Sequence, residues 1–113
     1  MPSKQDIRLF LLRVKESIDN QCFDFINRDK KELTRLGISF AEAVYIVEHL
    51  QVINYYRGPN EYHNVSGNLI YEFGVSIEET ELYIKLTFRK NDELFIMSFH
   101  ESKRKIKYPK INE

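Results

Sequence analysis

Residues 81–88 read ELYIKLTF, and the alternation within them decides the fold class. Leu82, Ile84, Leu86 and Phe88 fall on one side of an extended chain, with Tyr83, Lys85 and Thr87 on the other. That is the period-two signature of a strand with one face buried. RKNDE at 89–93 supplies turn residues, and LFIMSF at 94–99 returns, which predicts an antiparallel hairpin. NLIYEFGV at 68–75 precedes both as a further strand.

Upstream the period is helical. Ser3 has Asp6 three residues on, the spacing of a capping box. Ile7, Phe10, Leu11, Val14 and Ile18 then repeat every three or four residues. NQCFDFINR at 20–28 is an extended link or a very short strand, with Phe23 and Phe25 on one face. A second helix is predicted within 27–38, capped by Asn27 and ended at Gly37 in a left-handed conformation. Ser39 and Glu42 form another capping box, and Ala43, Val44, Val47 and Leu50 give the third helix its apolar face. YYRGPNEYHNVSGN at 55–68 is rich in glycine and asparagine and reads as a long polar loop. Helices followed by a strand meander predict an α+β domain over 1–113, with two to three N-terminal helices packed on a C-terminal antiparallel sheet of three or more strands.

Composition narrows the function classes. The 113 residues are 42% hydrophobic and 30% charged, with a formal net charge of zero, so the chain as a whole does not coat nucleic acid. A local cationic patch remains open, and Lys103, Arg104, Lys105, Lys107 and Lys110 crowd the C-terminal stretch. Cys22 is the only cysteine, which predicts no internal disulfide and a reducing, cytoplasmic setting. The N-terminal stretch reads as an amphipathic helix rather than a signal peptide. No apolar run is long enough for a membrane span. His49, His63 and His100 lack metal-ligand spacing, and no glycine-rich phosphate loop is present, so no metal or cofactor is expected. The sequon beginning at Asn64 has no role in a cytoplasmic chain.

Strand parity then assembles a candidate site. In the first strand Leu69, Tyr71 and Phe73 are the expected core set, leaving Ile70 and Glu72 outward. In the last, Phe95, Met97 and Phe99 form the larger apolar set, which puts Ile96, Ser98 and His100 on the face shared with Tyr83 and Lys85. A bulge would reverse that assignment. Arg57 arrives from the loop. Each residue has a plainer reading as a strand-end histidine, solvated lysine, shielding tyrosine or turn arginine. Together they offer an acid or base near neutral pH, cations for a phosphate, and a ring that stacks on a base. Those are the parts that RNA cleavage through a ribose 2′-hydroxyl requires.

SFAEAVYIVEHLQVINYYRGP at 39–59, ELYIKLTF, and LFIMSFHESKRKIKYP at 94–109, in that order, resemble the MqsR family of bacterial toxins within the RelE-like ribonucleases. The resemblance implies a metal-independent endoribonuclease that cuts messenger RNA, free or on the ribosome, and a cognate antitoxin protein that restrains it. The family's active-site tyrosine falls on Tyr83. A family lysine before the variable loop falls on Arg57, and the lysine after "SF" in the best-known member falls on His100. Glu72 is the nearest match to a family glutamine. These changes leave base specificity open. A catalytic set of Arg57, Tyr83, His100 and Glu72 follows, with RNA contacts from Lys85, Lys103, Arg104, Lys105 and Lys107. The competing reading is a non-catalytic RNA-binding or regulatory module on the same fold.

Overall fold

The structure is a computed structural model that describes residues 2–26, 30–61 and 69–109. Asn27, His63, Asn64 and Lys110, which carried sequence expectations, lie outside them. Helix α1 (Lys4–Asp19) starts at the predicted box: Ser3 Oγ accepts from the Asp6 amide at 3.1 Å, and Asp6 Oδ2 from the Ser3 amide at 3.0 Å. Its buried stripe includes Ile7, Phe10, Leu11, Val14 and Ile18. β1 (Phe23–Phe25) and α2 (Lys30–Leu36) follow. Gly37 stands at φ +72°, a left-handed conformation that only glycine adopts without steric cost. α3 (Phe40–Glu48) then opens on the Ser39–Glu42 box.

The remaining strands are β2 (Tyr55–Glu61), β3 (Leu69–Ile77), β4 (Thr80–Phe88) and β5 (Leu94–Glu101). They form one sheet in the order β1-β5-β4-β3-β2. The expected antiparallel meander runs from β3 to β5; β2 extends it beside β3, and β1 adds a parallel edge strand beside β5. The helices cover one face. There Phe10 stacks on Tyr71 at 4.1 Å between ring centroids and meets the edge of Phe88 at 5.4 Å. Leu82, Ile84 and Leu86 are wholly buried in the same cluster, as their alternation predicts. The β4–β5 turn spans 89–93, with Asn91 and Asp92 at positive φ and the Arg89 amide bonded to the Glu93 carbonyl at 2.8 Å.

Three expectations are corrected. The first half of the predicted loop is strand β2. Its pairing with β3 shifts register between Tyr55 and Arg57 and again between Arg57 and Asn60, so no alternation survives in its sequence. In β3, Leu69 is exposed, whereas Ile70 and Glu72 are buried. In β5 the pairing slips by one residue: Lys85 faces Ser98, but Leu86 faces Ile96. Met97 is the extra residue of a β-bulge. Leu94 and Ile96 therefore join Phe99 in the core, while Phe95 and Met97 are half-buried outside it.

The aromatic stack at Phe10 ties α1 to the middle of the sheet. Phe10→Ala should lower unfolding free energy by about 3–5 kcal/mol, measured by urea denaturation. Leu12→Ala, on the exposed side of the same helix, should stay within about 0.5 kcal/mol of wild type.

Candidate active site

The face of the sheet opposite the helices carries the polar residues. Tyr83 pairs with His100 across β4 and β5, and Lys85 with Ser98. Tyr83 and His100 therefore share the open face, as expected, because the bulge lies on the Met97 side of this pair. Their ring centroids are 5.3 Å apart at an angle of 39°. Lys85 extends over the same face, its Nζ 6.0 Å from the Tyr83 ring centroid.

Glu72 sits beneath this surface rather than on it, only 3% exposed. A carboxylate removed from water needs charge compensation and donors. Glu72 has both: Arg57 Nε donates to Oε2 at 2.9 Å, Asn60 Nδ2 donates to the same oxygen at 3.2 Å, and the Tyr83 hydroxyl donates to Oε1. Strands β2 and β4 thus meet at one residue of β3. The Arg57 guanidinium lies over the Tyr56 ring at 4.9 Å, and 60% of its side chain stays accessible. Burial, reinforced by the hydrogen bond to Glu72, pushes the Tyr83 phenol well above the ordinary tyrosine range. The hydrogen bond to Glu72 also raises Arg57. Tyr83 is consequently a neutral donor at physiological pH.

His100 Nδ1 lies 2.9 Å from the Glu101 carbonyl oxygen. That oxygen only accepts, so the neutral ring carries its proton on Nδ1 and leaves Nε2 to exchange with a ligand. Behind it, the Glu101 amide donates to Glu32 Oε2 at 3.1 Å, and Arg35 bridges Glu32 and Glu101. These bonds fasten α2 to the end of β5.

Tyr56, Arg57, Tyr83 and His100 line a cleft of about 290 Å³ whose other wall is Ser102, Lys103, Arg104, Lys105 and Ile106. Of the expected site residues, Arg57, Tyr83 and His100 converge here, with Lys103, Arg104 and Lys105 facing them. Glu72 supports the cleft from below. Lys85 stands on the same face, and Lys107 is exposed; neither lines the cleft. Tyr56 and Asn60 were missed because both fall in the stretch read as a loop, where no pattern marks them.

A comparison with family models matched residues 8–101 to the family described as motility quorum-sensing regulator, toxin of MqsA. The span runs from α1 through β5 and covers most of the chain. The chain belongs to this family, and with it to the toxins of toxin–antitoxin pairs. Neither the curated proteins nor the solved structures compared with the chain gave a match. Among the described residues, no helix is long and apolar enough to cross a membrane.

The Tyr83–Glu72 bond has a pH signature. The folded-state pKa of Tyr83 is raised, so its share of the stability is complete below the unfolded value of about 10 and is lost as pH rises through the folded value. In alkaline denaturation Tyr83→Phe should therefore give a flatter fall of stability than wild type above about pH 10. Identical slopes would mean that the phenol does not ionise on unfolding. Tyr55, Tyr71 and Tyr108 are raised too, so the slope should diminish rather than vanish.

Proposed function

From membership of this toxin family, we propose that the protein is a metal-independent endoribonuclease of the cytoplasm. It cleaves single-stranded messenger RNA, and a cognate antitoxin protein neutralises it. The observation that carries the reading is the convergence of His100, Tyr83 and Arg57 on one cleft faced by three further cations. A phosphodiester beside a ribose hydroxyl fits that chemistry: the cations hold the phosphate, and an imidazole moves the proton.

In the proposed reaction the ribose 2′-hydroxyl attacks the adjacent phosphorus and loses its proton. The bond from phosphorus to the 5′-oxygen breaks, and that oxygen takes a proton. His100 exchanges the proton at Nε2, as base toward the 2′-hydroxyl or as acid toward the 5′-oxygen. Arg57 offers its planar guanidinium to the phosphate oxygens, where charge builds at phosphorus. Tyr83 does not act as a base, since its phenol is raised and its hydroxyl is engaged by Glu72. Its ring instead supplies a wall for the nucleotide, and Glu72 positions both Tyr83 and Arg57. Lys85, Lys103, Arg104, Lys105 and Lys107 extend the contact along the RNA backbone.

Purified protein should cut single-stranded RNA in the presence of EDTA and leave DNA intact, because DNA lacks the internal nucleophile. Products should carry a 2′,3′-cyclic phosphate opposite a 5′-hydroxyl. His100→Ala should reduce turnover by roughly 10²–10⁴-fold, and Arg57→Lys should also reduce it, since it keeps the charge and loses the fork. Turnover indifferent to His100→Ala would remove its acid–base role. Binding without cleavage would favour the non-catalytic RNA-binding module.

A further inference from the structure

The segment after β5 lies beyond the span matched to the toxin family, yet it has a defined seat on the open face of the sheet. One residue holds it at three points. The Glu81 carbonyl accepts from the Ser102 amide at 2.8 Å. Glu81 Oε1 accepts from the Ile106 amide at 2.8 Å, and Oε2 from the Tyr108 hydroxyl at 3.1 Å. Between these attachments the chain makes a short arch carrying Lys103, Arg104 and Lys105. Ser102 Oγ braces it from inside by donating to the Arg104 carbonyl.

The sheet beneath is cut to fit. Ile106 is buried, and Tyr108 and Ile106 lie directly over Gly74. A Cβ at residue 74 would stand 2.6 Å from Ile106 Cδ1 and closer still to the Tyr108 hydroxyl, so the ends of both side chains would have to shift. Partial burial, with the bond to Glu81, pushes the Tyr108 phenol up to about 12, although part of the side chain stays exposed.

We propose that Glu81 is a positioning residue that clamps both ends of the Lys103–Lys105 arch and so presents its three cations to successive phosphates of single-stranded RNA. The proposal rests on the RNA-directed reading of the cleft and adds the device that orders its cationic wall. A tethered arch binds better than a free basic tail, because its backbone is ordered before the ligand arrives.

The test uses a fluorescently labelled mixed-sequence 2′-O-methyl RNA oligonucleotide, which has no free 2′-hydroxyl and survives the protein. Binding is followed by anisotropy at several salt concentrations. Replacing Lys103, Arg104 and Lys105 together by Gln should flatten the plot of log K against log salt by about 2, since each phosphate contact on a single strand contributes about 0.7. Glu81→Ala keeps the main-chain carbonyl that holds the Ser102 amide but frees the Ile106 and Tyr108 end; it should weaken binding roughly tenfold at low salt, as an arch loose at one end makes fewer simultaneous contacts. The decisive outcome is non-additivity: in the Glu81→Ala background the triple replacement should have little further effect. Glu81→Gln keeps an acceptor for the Ile106 amide and should recover most of the affinity. If Glu81→Ala does not fold, Tyr108→Phe removes one anchor and should give a smaller loss with the same non-additivity.

Equal losses from the triple replacement in both backgrounds, or wild-type binding by Glu81→Ala, would overturn the clamp. So would a wild-type chain that does not bind the oligonucleotide at micromolar concentration. A wild-type chain that binds it through the arch but leaves unmodified RNA uncut would overturn the ribonuclease reading alone and leave the clamp standing.

Discussion

The open face of this sheet depends on a carboxylate that cannot reach water. Glu72 is buried at the centre of β3, so its charge must be met by donors on the neighbouring strands. The irregular edge strand β2 supplies Arg57 and Asn60, and β4 supplies Tyr83. Each partner is placed as a result. Arg57 is anchored through Nε while most of its side chain stays accessible at the cleft rim. Tyr83 has its hydroxyl turned down into the sheet and its ring beside His100. The same bond that fixes Tyr83 disqualifies it as a proton acceptor, which is why the proposed proton exchange falls to the His100 imidazole beside it. Removing one partner of such a set strands the others without a mate, so these residues behave as a unit under mutation.

How much of this is legible in the sequence varies with local regularity. The alternation at 81–88, both capping boxes and the glycine stop at Gly37 all act within a few residues, and all appear where the sequence puts them. The fate of β5 depends on a long-range match. Leu94, Ile96 and Phe99 cannot share a face on a regular strand, yet all three are buried because Met97 is extruded opposite the Lys85–Leu86 step. Parity counted back from Phe99 therefore gives the wrong core residues and the right face for His100. Strand β2 is hidden for a related reason: two register shifts and the bend at Gly58 erase its period. A glutamate in a strand reads as outward-facing. Nothing local reveals that Glu72 will be roofed by Arg57 and Asn60, since β2 itself is not recognisable as a strand.

The neutral total charge conceals a further asymmetry. Lys and Arg together number 17, as do Asp and Glu, but around the cleft the acids are committed. Glu72 is held by Arg57, Glu81 by the arch, and Glu32 with Glu101 by Arg35. The Arg35 hydrogen bond holds Glu32 down to about 2, so this carboxylate stays ionised and paired across the physiological range. Among the described residues, Lys103, Arg104 and Lys105 form no ion pair and face the cleft. At physiological ionic strength a charge is felt over about 8 Å. A phosphate in the cleft therefore experiences the three cations of the arch, the paired Arg57 and Glu72, and the Glu81 carboxylate beneath the arch, more than the acidic residues spread over the rest of the surface. Among the described residues, the arch is thereby a local cluster of unpaired cations on a chain with no net charge.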